Sequence, residues 1–321
     1  MARAAVNRSC AQGRARAHAL RGAAVVLAML IAALAATIAA TLFSDQQRWT
    51  RAVEHRRDQV QAQALVIAGV QWARLILQED ARATAIDHLG EPWALALPPI
   101  PLENGEIRGT IADAQARLNV NALGGTGTNA GTERERIARL FAQRGGPTGA
   151  LNAIADWIDA DGIPGPNGAE DAFYAAQSVP GLAANAPVVR VAELAAIRGV
   201  TSPSLAAVAP FLTALPAGTA VNVNTAAPEV LAALFDGLRG DALVALVAAR
   251  ARKPFATISE FRERLPQGAS PAGDTSLAVR SSYFYVSIEA RQGATVARAR
   301  ALLHRARTGS AWPEIVWQVI E

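Results

Sequence analysis

Asp156-Trp157-Ile158-Asp159-Ala160-Asp161-Gly162 and Glu170-Asp171-Ala172-Phe173-Tyr174 hold the densest gathering of hard oxygen ligands in the chain, joined by a loop of Pro, Gly and Asn. Hard cations such as Ca²⁺ take roughly six to eight oxygens, usually from such a loop. Asp159, Asp161 and Glu170 fall at the first, third and twelfth positions of a loop of EF-hand length. Ile163 stands at the fifth position and the sixth-position glycine is displaced to Gly162, so this is not an EF-hand. One reading is a helix end followed by a solvated loop whose acids face water. The other is a structural Ca²⁺, favoured because five carboxylates within 16 residues repel one another without a cation.

No other chemistry competes. His18, His55, His88 and His304 are scattered, and none stands at a recognisable spacing from an acid and a serine. A phosphate loop and a dinucleotide fingerprint are both absent. Cys10, the one cysteine, lies in the basic N-terminal stretch, which excludes disulfides and Cys-ligated zinc from the remainder.

A second pattern is an internal repeat. Arg117-Leu118-Asn119-Val120-Asn121 recurs as Ala220-Val221-Asn222-Val223-Asn224, each copy leading toward a helix, where Asn119 or Asn222 can bond the turn backbone. The second copy runs on through Gly237-Leu238-Arg239-Gly240 to Phe261 and resembles helix-hairpin-helix modules that hold phosphate on backbone N–H groups. Arg239, Arg250, Arg252 and Lys253 are offset by Glu229, Asp236, Asp241, Glu260 and Glu263, so a packing unit is favoured over DNA binding. The formal charge of +4 points the same way: removing the five arginines of residues 1–21 leaves about −1.

The elements that carry these loops begin with a membrane-length segment. Residues Ala23 to Phe43 contain no charge, and about 21 residues suffice to cross a bilayer as a helix. The basic flank keeps the N-terminus in the cytoplasm. Gly22 closes that flank before the apolar run begins, which resembles a prepilin leader cut by prepilin peptidase between Gly22 and Ala23. A signal anchor, or a signal peptide cut near Ala35–Ala40, would carry the same flank and apolar run. Leu27 occupies the fifth position of the mature chain, where most pilin-like proteins carry Glu.

Beyond the membrane, the sequence from Ser44 to Gln78 lacks Pro and is interrupted only by Gly69. Apolar residues at Val53, Val60, Ala64, Ile67, Val70 and Leu75 recur at helical steps, extending one helix from Ala23 to about Gln78, roughly 80 Å. A Pro-rich break spans Glu91 to Pro101. Alternation then predicts strands over Glu106–Asp113, Ser282–Arg291, Ala294–Arg305 and Ile315–Ile320, with a turn at Gln292-Gly293. Between them, helices are expected over Glu133–Gln143, Leu151–Asp159, Val191–Ala196, Ser202–Ala214, Ala227–Phe235, Asp241–Arg250 and Ile258–Leu265. The simplest architecture is α+β: a small antiparallel sheet packed on the long helix and interrupted by an inserted all-α domain with helix-hairpin-helix-like units.

These segments resemble the minor pseudopilin K family of type II secretion systems, over nearly the whole chain after the leader. The resemblance rests on Arg21-Gly22-Ala23, the Arg117–Asn121 stretch, the Asp-Trp-Ile-Asp-Ala-Asp-Gly and Glu-Asp-Ala-Phe-Tyr blocks, and Val221-Asn222-Val223-Asn224-Thr225-Ala226. It implies a pilin-like fold divided into a leader (1–22), a long helix (23–80), a first part of the sheet domain (81–118), the insert (119–275) and returning strands (276–321). It further implies Ca²⁺ ligands in the helical domain at Asp159, Asp161, Glu170 and Asp171, with Asn167 as a further candidate. The implied role is structural and non-enzymatic. The chain would cap and initiate a periplasmic pseudopilus, anchored by one pass in the inner membrane and complexed with minor pseudopilins I and J, with the secretin and secreted cargo as further contacts. A subunit at the tip has no neighbour above it, so Leu27 costs nothing there. An envelope-anchored DNA-binding protein and a type IV pilus minor pilin are the alternatives.

Overall fold

The computed structural model describes residues 3–95, 98–125, 128–271, 276–306 and 311–321. Two compact units emerge, Met1–Gln61 with Gln292–Thr295, and Ala62–Arg291 with Val296–Glu321.

The first unit is the leading part of helix α1 (Arg3–Ala83) and a hairpin turn. The helix starts before the expected Ala23 and ends after the expected Gln78. Gly22 and Ala23 lie within it, and side chains up to residue 23 fall outside the described ones. From Ala24 the helix is long and apolar enough to cross a membrane, and side chains such as Leu27, Leu30, Leu34 and Phe43 are exposed. In the turn, Gly293 has φ +54°, and His55 Nδ1 lies 3.3 Å from Thr295 Oγ1.

In the second unit, the end of α1 packs on a five-stranded sheet. β1 (Ile100–Leu102) and β2 (Gly105–Asp113) form an antiparallel hairpin. β1 arises inside the expected Pro-rich break; Pro101 is tolerated because an edge strand leaves one row of N–H groups unused. The helical insert begins with β3 (Leu118–Asn119), α2 (Thr128–Arg144), α3 (Leu151–Ile158), α4 (Asp171–Ala175) and α5 (Ser202–Val208). It continues through β4 (Leu212–Thr213), β5 (Val221–Asn222), α6 (Pro228–Leu234), β6 (Phe235–Asp236), α7 (Gly240–Arg252), α8 (Ile258–Glu263), β7 (Ser270–Pro271) and β8 (Leu277–Ala278). The chain then returns to the sheet as β9 (Tyr283–Gln292), β10 (Thr295–His304) and β11 (Glu314–Ile320). The sheet order is β1-β2-β9-β10-β11, so the insert leaves and re-enters between adjacent strands.

Local chemistry sets several helix starts. Thr201 caps α5 by accepting from Ser204 N, Pro228 opens α6 where its missing N–H costs nothing, and Thr257 caps α8 by accepting from Glu260 N. The stretch Val191–Ala196 closes as a 3₁₀-helix rather than an α-helix.

The helix expected over Ser202–Ala214 ends at Val208 and gives way to a 3₁₀ turn and β4, and a further expectation changes. The face of α1 buried on the sheet is Ala62, Val66, Val70, Ala73 and Leu77. Of the stripe read from the sequence, Val70 alone is on that face; Val53, Val60, Ile67 and Leu75 are exposed. At 100° per residue the exposed stripe lies roughly opposite the buried one. Around Gly69 the buried face is built from Ala and Val because helix and sheet approach closely there: a Cβ on Gly69 would meet Ile288 Cγ2 at 2.8 Å. The insert has its own core, including Leu140, Phe141, Ile154, Leu231, Leu234 and Phe261.

Candidate metal centre

Asp159 is the C-cap of α3 and Glu170 the N-cap of α4, so the acidic loop is the connection between two short helices. The loop is shaped by Asp156. Its carboxylate accepts from Gly165 N at 3.2 Å and Ala169 N at 2.8 Å. The chain closes so tightly that a Cβ on Gly168 would fall 1.7 Å from Asp156 Oδ2, which reserves that position for glycine. Asp161 Oδ1 accepts from Ile163 N at 2.9 Å, and Arg198 donates to Gly168 O at 2.9 Å. The two sequence blocks meet through their aromatic residues: Trp157 packs edge-on against Tyr174 at 5.0 Å, and the Arg198 guanidinium sits 4.6 Å from the Phe173 ring centre.

This frame brings one carboxylate oxygen each of Asp159, Asp161 and Glu170 within 4.8 Å of one another. Both Glu170 oxygens and Asp159 Oδ1 are enclosed and accept no hydrogen bond. Burial pushes the Glu170 carboxyl above its ordinary range, and Asp156, Asp159, Asp161 and Asp171 add to the shift. Burial and then Asp161 raise Asp159. An enclosed carboxylate without a donor is costly, so three converging acids, two of them with orphaned oxygens, are the environment a hard dication would offset. The residues therefore fit Ca²⁺.

The other two candidate ligands are placed differently. Asp171 is the first residue of α4, and its Oδ1 accepts from Ala183 N at 2.9 Å. Asn167 is exposed, at φ +62°, where its short amide side chain tolerates the left-handed backbone.

The Asn repeat is structural. In the first copy, Asn119 Oδ1 accepts from Asn121 N at 3.2 Å, and Asn121 clamps Val188, accepting from its N–H at 2.9 Å and donating to its carbonyl at 3.0 Å. In the second, Asn222 Oδ1 accepts from Asn224 N at 3.0 Å, and Asn224 clamps Phe255 through two bonds of 2.9 Å. Each copy also forms a two-residue parallel ladder, β3 with β4 and β5 with β8. Arg250, counted among the basic residues of the hairpin, is buried and donates to Val223 O and Ala226 O. Lys253 pairs with Glu260 at 3.2 Å. Of the four basic residues of the hairpin, Arg250 is thus spent inside the fold and Lys253 is paired at the surface.

Sequence reading missed a buried polar hub where the end of α1, the insert and the sheet meet. Arg305 donates to Asp80 at 2.7 Å and to Asp87 at 2.5 Å, with its guanidinium 4.6 Å from the Phe284 ring centre. Glu91 accepts from Thr84 Oγ1, His88 N and Trp93 Nε1. Asp113 accepts from Ser281, Thr225, Asn222 and Gln115 N, and burial nevertheless raises its pKa to about 6. Asp80 and Arg305 stand 225 positions apart, and no local pattern signals their pairing.

Comparison with known proteins bears on most of the chain. Residues 116–217 and 221–280 match two domain models described as type II secretion system (T2SS), protein K, and each begins within five residues of one Asn repeat. Type II secretion system protein K of Pseudomonas aeruginosa is 32% identical over 284 residues, covering 85% of each chain. The protein of that name from Pectobacterium carotovorum is 32% identical over 307 residues, covering 88% of this chain and 92% of its own. A solved chain of the GspK-GspI-GspJ complex from enterotoxigenic Escherichia coli superposes with a TM-score of 0.72 at 25% identity, over 83% of this chain and 99% of that one.

Proposed function

The chain belongs to the type II secretion system protein K family, and from that premise we propose that it is the minor pseudopilin that caps and initiates a periplasmic pseudopilus, assembling there with minor pseudopilins I and J. Its role is structural and non-enzymatic. The observation that carries this reading is α1: one apolar stripe is used by the chain's own sheet, and Val53, Val60, Ile67 and Leu75 present a second to solvent. A helix with two apolar faces has a second packing partner to find. The complex formed by the Escherichia coli GspK supports pseudopilins I and J as that partner.

The charge-free segment after a basic flank supports a single pass through the inner membrane with the N-terminus cytoplasmic and the bulk of the chain periplasmic. Prepilin peptidase would cut between Gly22 and Ala23. At the tip, Leu27 lacks the carboxylate that a buried pilin subunit would set against the next subunit's amine, and no subunit lies above to require it. The secretin and cargo are further contacts in this reading. The balanced charge of the hairpin and the inward use of Arg250 speak against nucleic acid. Asp159, Asp161 and Glu170 would hold a structural Ca²⁺ that ties α3 to α4, with Asp171 and Asn167 as further ligands where the loop tightens. Bound there, the ion would supply charge neutralisation only.

Intact mass and N-terminal sequence of the protein extracted from membranes, with and without prepilin peptidase, test the assignment. A chain starting at Ala23, methylated or not, is expected with the peptidase. A start at Met1 in both cases, or one near Ala40, would sink the pseudopilin reading. Loss of co-purification of pseudopilins I and J on placing Glu at exposed Ile67 and Leu75 tests the second stripe.

A further inference from the structure

A cleft of about 470 Å³ opens where the outer face of the sheet meets the insert, away from the acidic loop. Its floor includes Tyr285 of β9, Arg300 of β10 and Trp317 of β11; Arg190 of the insert and Arg117, just before β3, complete the rim. Three arginines and no carboxylate are among its lining residues. In a chain whose charge beyond the leader is close to neutral, this is a local concentration of positive potential.

The cleft is built rather than incidental. The Arg117 guanidinium lies 5.2 Å from the Tyr285 ring centre, and Tyr285 OH is 2.9 Å from Thr213 Oγ1 of the insert, which holds floor and wall in register. Arg190 and Arg300 each have one exposed acid nearby, Glu193 at 3.8 Å and Glu321 at 2.7 Å. Exposed pairs of this kind are weak, and a guanidinium keeps further N–H groups free for another acceptor. Trp317 Nε1 is enclosed, yet it donates to nothing. An orphaned indole N–H beside three cations calls for an acceptor. β11 is the terminal strand of the sheet, so its outer row of N–H and C=O groups has no strand partner among the described residues. A free edge selects an extended polypeptide over other anions, because it can supply main-chain bonds along the strand.

We propose that this cleft binds an acidic peptide segment of a partner protein, extended along β11, with carboxylates on Arg117, Arg190 and Arg300 and an apolar side chain against Tyr285 and Trp317. The site is separate from the exposed helix stripe and does not depend on the metal.

The test uses the full chain in detergent micelles and a fluorescein-labelled peptide, Glu-Asp-Leu-Glu-Phe-Asp, followed by anisotropy at low salt. Its neutral counterpart, Gln-Asn-Leu-Gln-Phe-Asn, and an oligothymidylate serve as comparators. Saturable binding of the acidic peptide is expected, with about tenfold weakening in Arg300→Ala and Arg190→Ala and little change in Arg252→Ala on α7. Trp317→Phe, which keeps the ring packing but removes the N–H, should weaken binding several-fold. Arg117→Ala should weaken binding likewise, and should it fail to fold, exposed Arg190 and Arg300 carry the test. Equal loss in Arg252→Ala, equal binding of the neutral peptide, tighter binding of the oligothymidylate, or no saturable binding would each overturn the proposal.

Discussion

Asp80, Asp87 and Glu91 form one triad of acids and Asp159, Asp161 and Glu170 another, each with ligand oxygens within 4.8 Å of one another. Their environments differ. The first triad is buried and answered from within the chain: Arg305 bonds Asp80 and Asp87, while Thr84, His88 and Trp93 serve Glu91. The second has a buried member, Glu170, whose two oxygens accept nothing. Convergence of acids alone therefore does not mark a metal site. What separates the second triad is its orphaned oxygens, because an enclosed carboxylate without a donor or cation bears its full desolvation cost.

That contrast breaks most visibly at Arg305. Arg305→Met keeps bulk but strands two buried carboxylates, and should destabilise the protein by about 3–5 kcal/mol, read as a fall in the urea midpoint. A shift under 1 kcal/mol would mean that the acids are protonated and the hub is not ionic.

For the second triad the expected loss comes from removing metal. Chelation should lower stability by about 3 kcal/mol relative to Ca²⁺ at a hundredfold excess over its dissociation constant. Glu170→Gln should abolish that difference in thermal melts while leaving the chelated protein as stable or more so, since it relieves repulsion. Equal melts with and without Ca²⁺ would reduce the triad to a solvated loop.

Asp113 shows a third way to keep a buried carboxylate, by four hydrogen-bond donors and no cation. With a pKa raised to about 6, against roughly 3.9 unfolded, the folded state holds a proton that the unfolded state has lost. Its contribution is therefore present below about pH 4 and lost as pH rises through about 6, on the order of 3 kcal/mol. Asp113→Asn should flatten that part of the stability–pH curve; an unchanged slope would assign it to another group.

The smallest effect belongs to a surface acid. Glu289 bridges Arg108 and Arg298, and both arginine side chains are exposed. Glu289→Gln should change stability by no more than about 0.5 kcal/mol, an effect that vanishes in high salt.

Much of this was legible along the chain because it rests on local periodicity and turn chemistry. The strands β2, β9, β10 and β11 follow from alternation, and α2, α3, α6, α7 and α8 start and stop within a few residues of their patterned segments. Asn119 and Asn222 bond their own turn backbone, as an Asn before a helix should. Asp159, Asp161 and Glu170 could be nominated because the loop that carries them is contiguous. Asp156 was visible as an acid, but its task of pinning Gly165 and Ala169 was not.

The sequence by itself determined the membrane-length segment, the alternation of the sheet, the acidic loop and the repeat, since each is set by neighbours within a few residues. Tertiary structure decided which face of α1 is buried: both faces are apolar, and close approach at Gly69 to Ile288 selects the small side chains of Ala62, Ala73 and their row. It also decided which acids are paired, because the burial of Asp80, Asp87 and Asp113 depends on Arg305 and Ser281 arriving from the far end of the chain. Charge in a sequence is local, but desolvation is a property of everything packed around it.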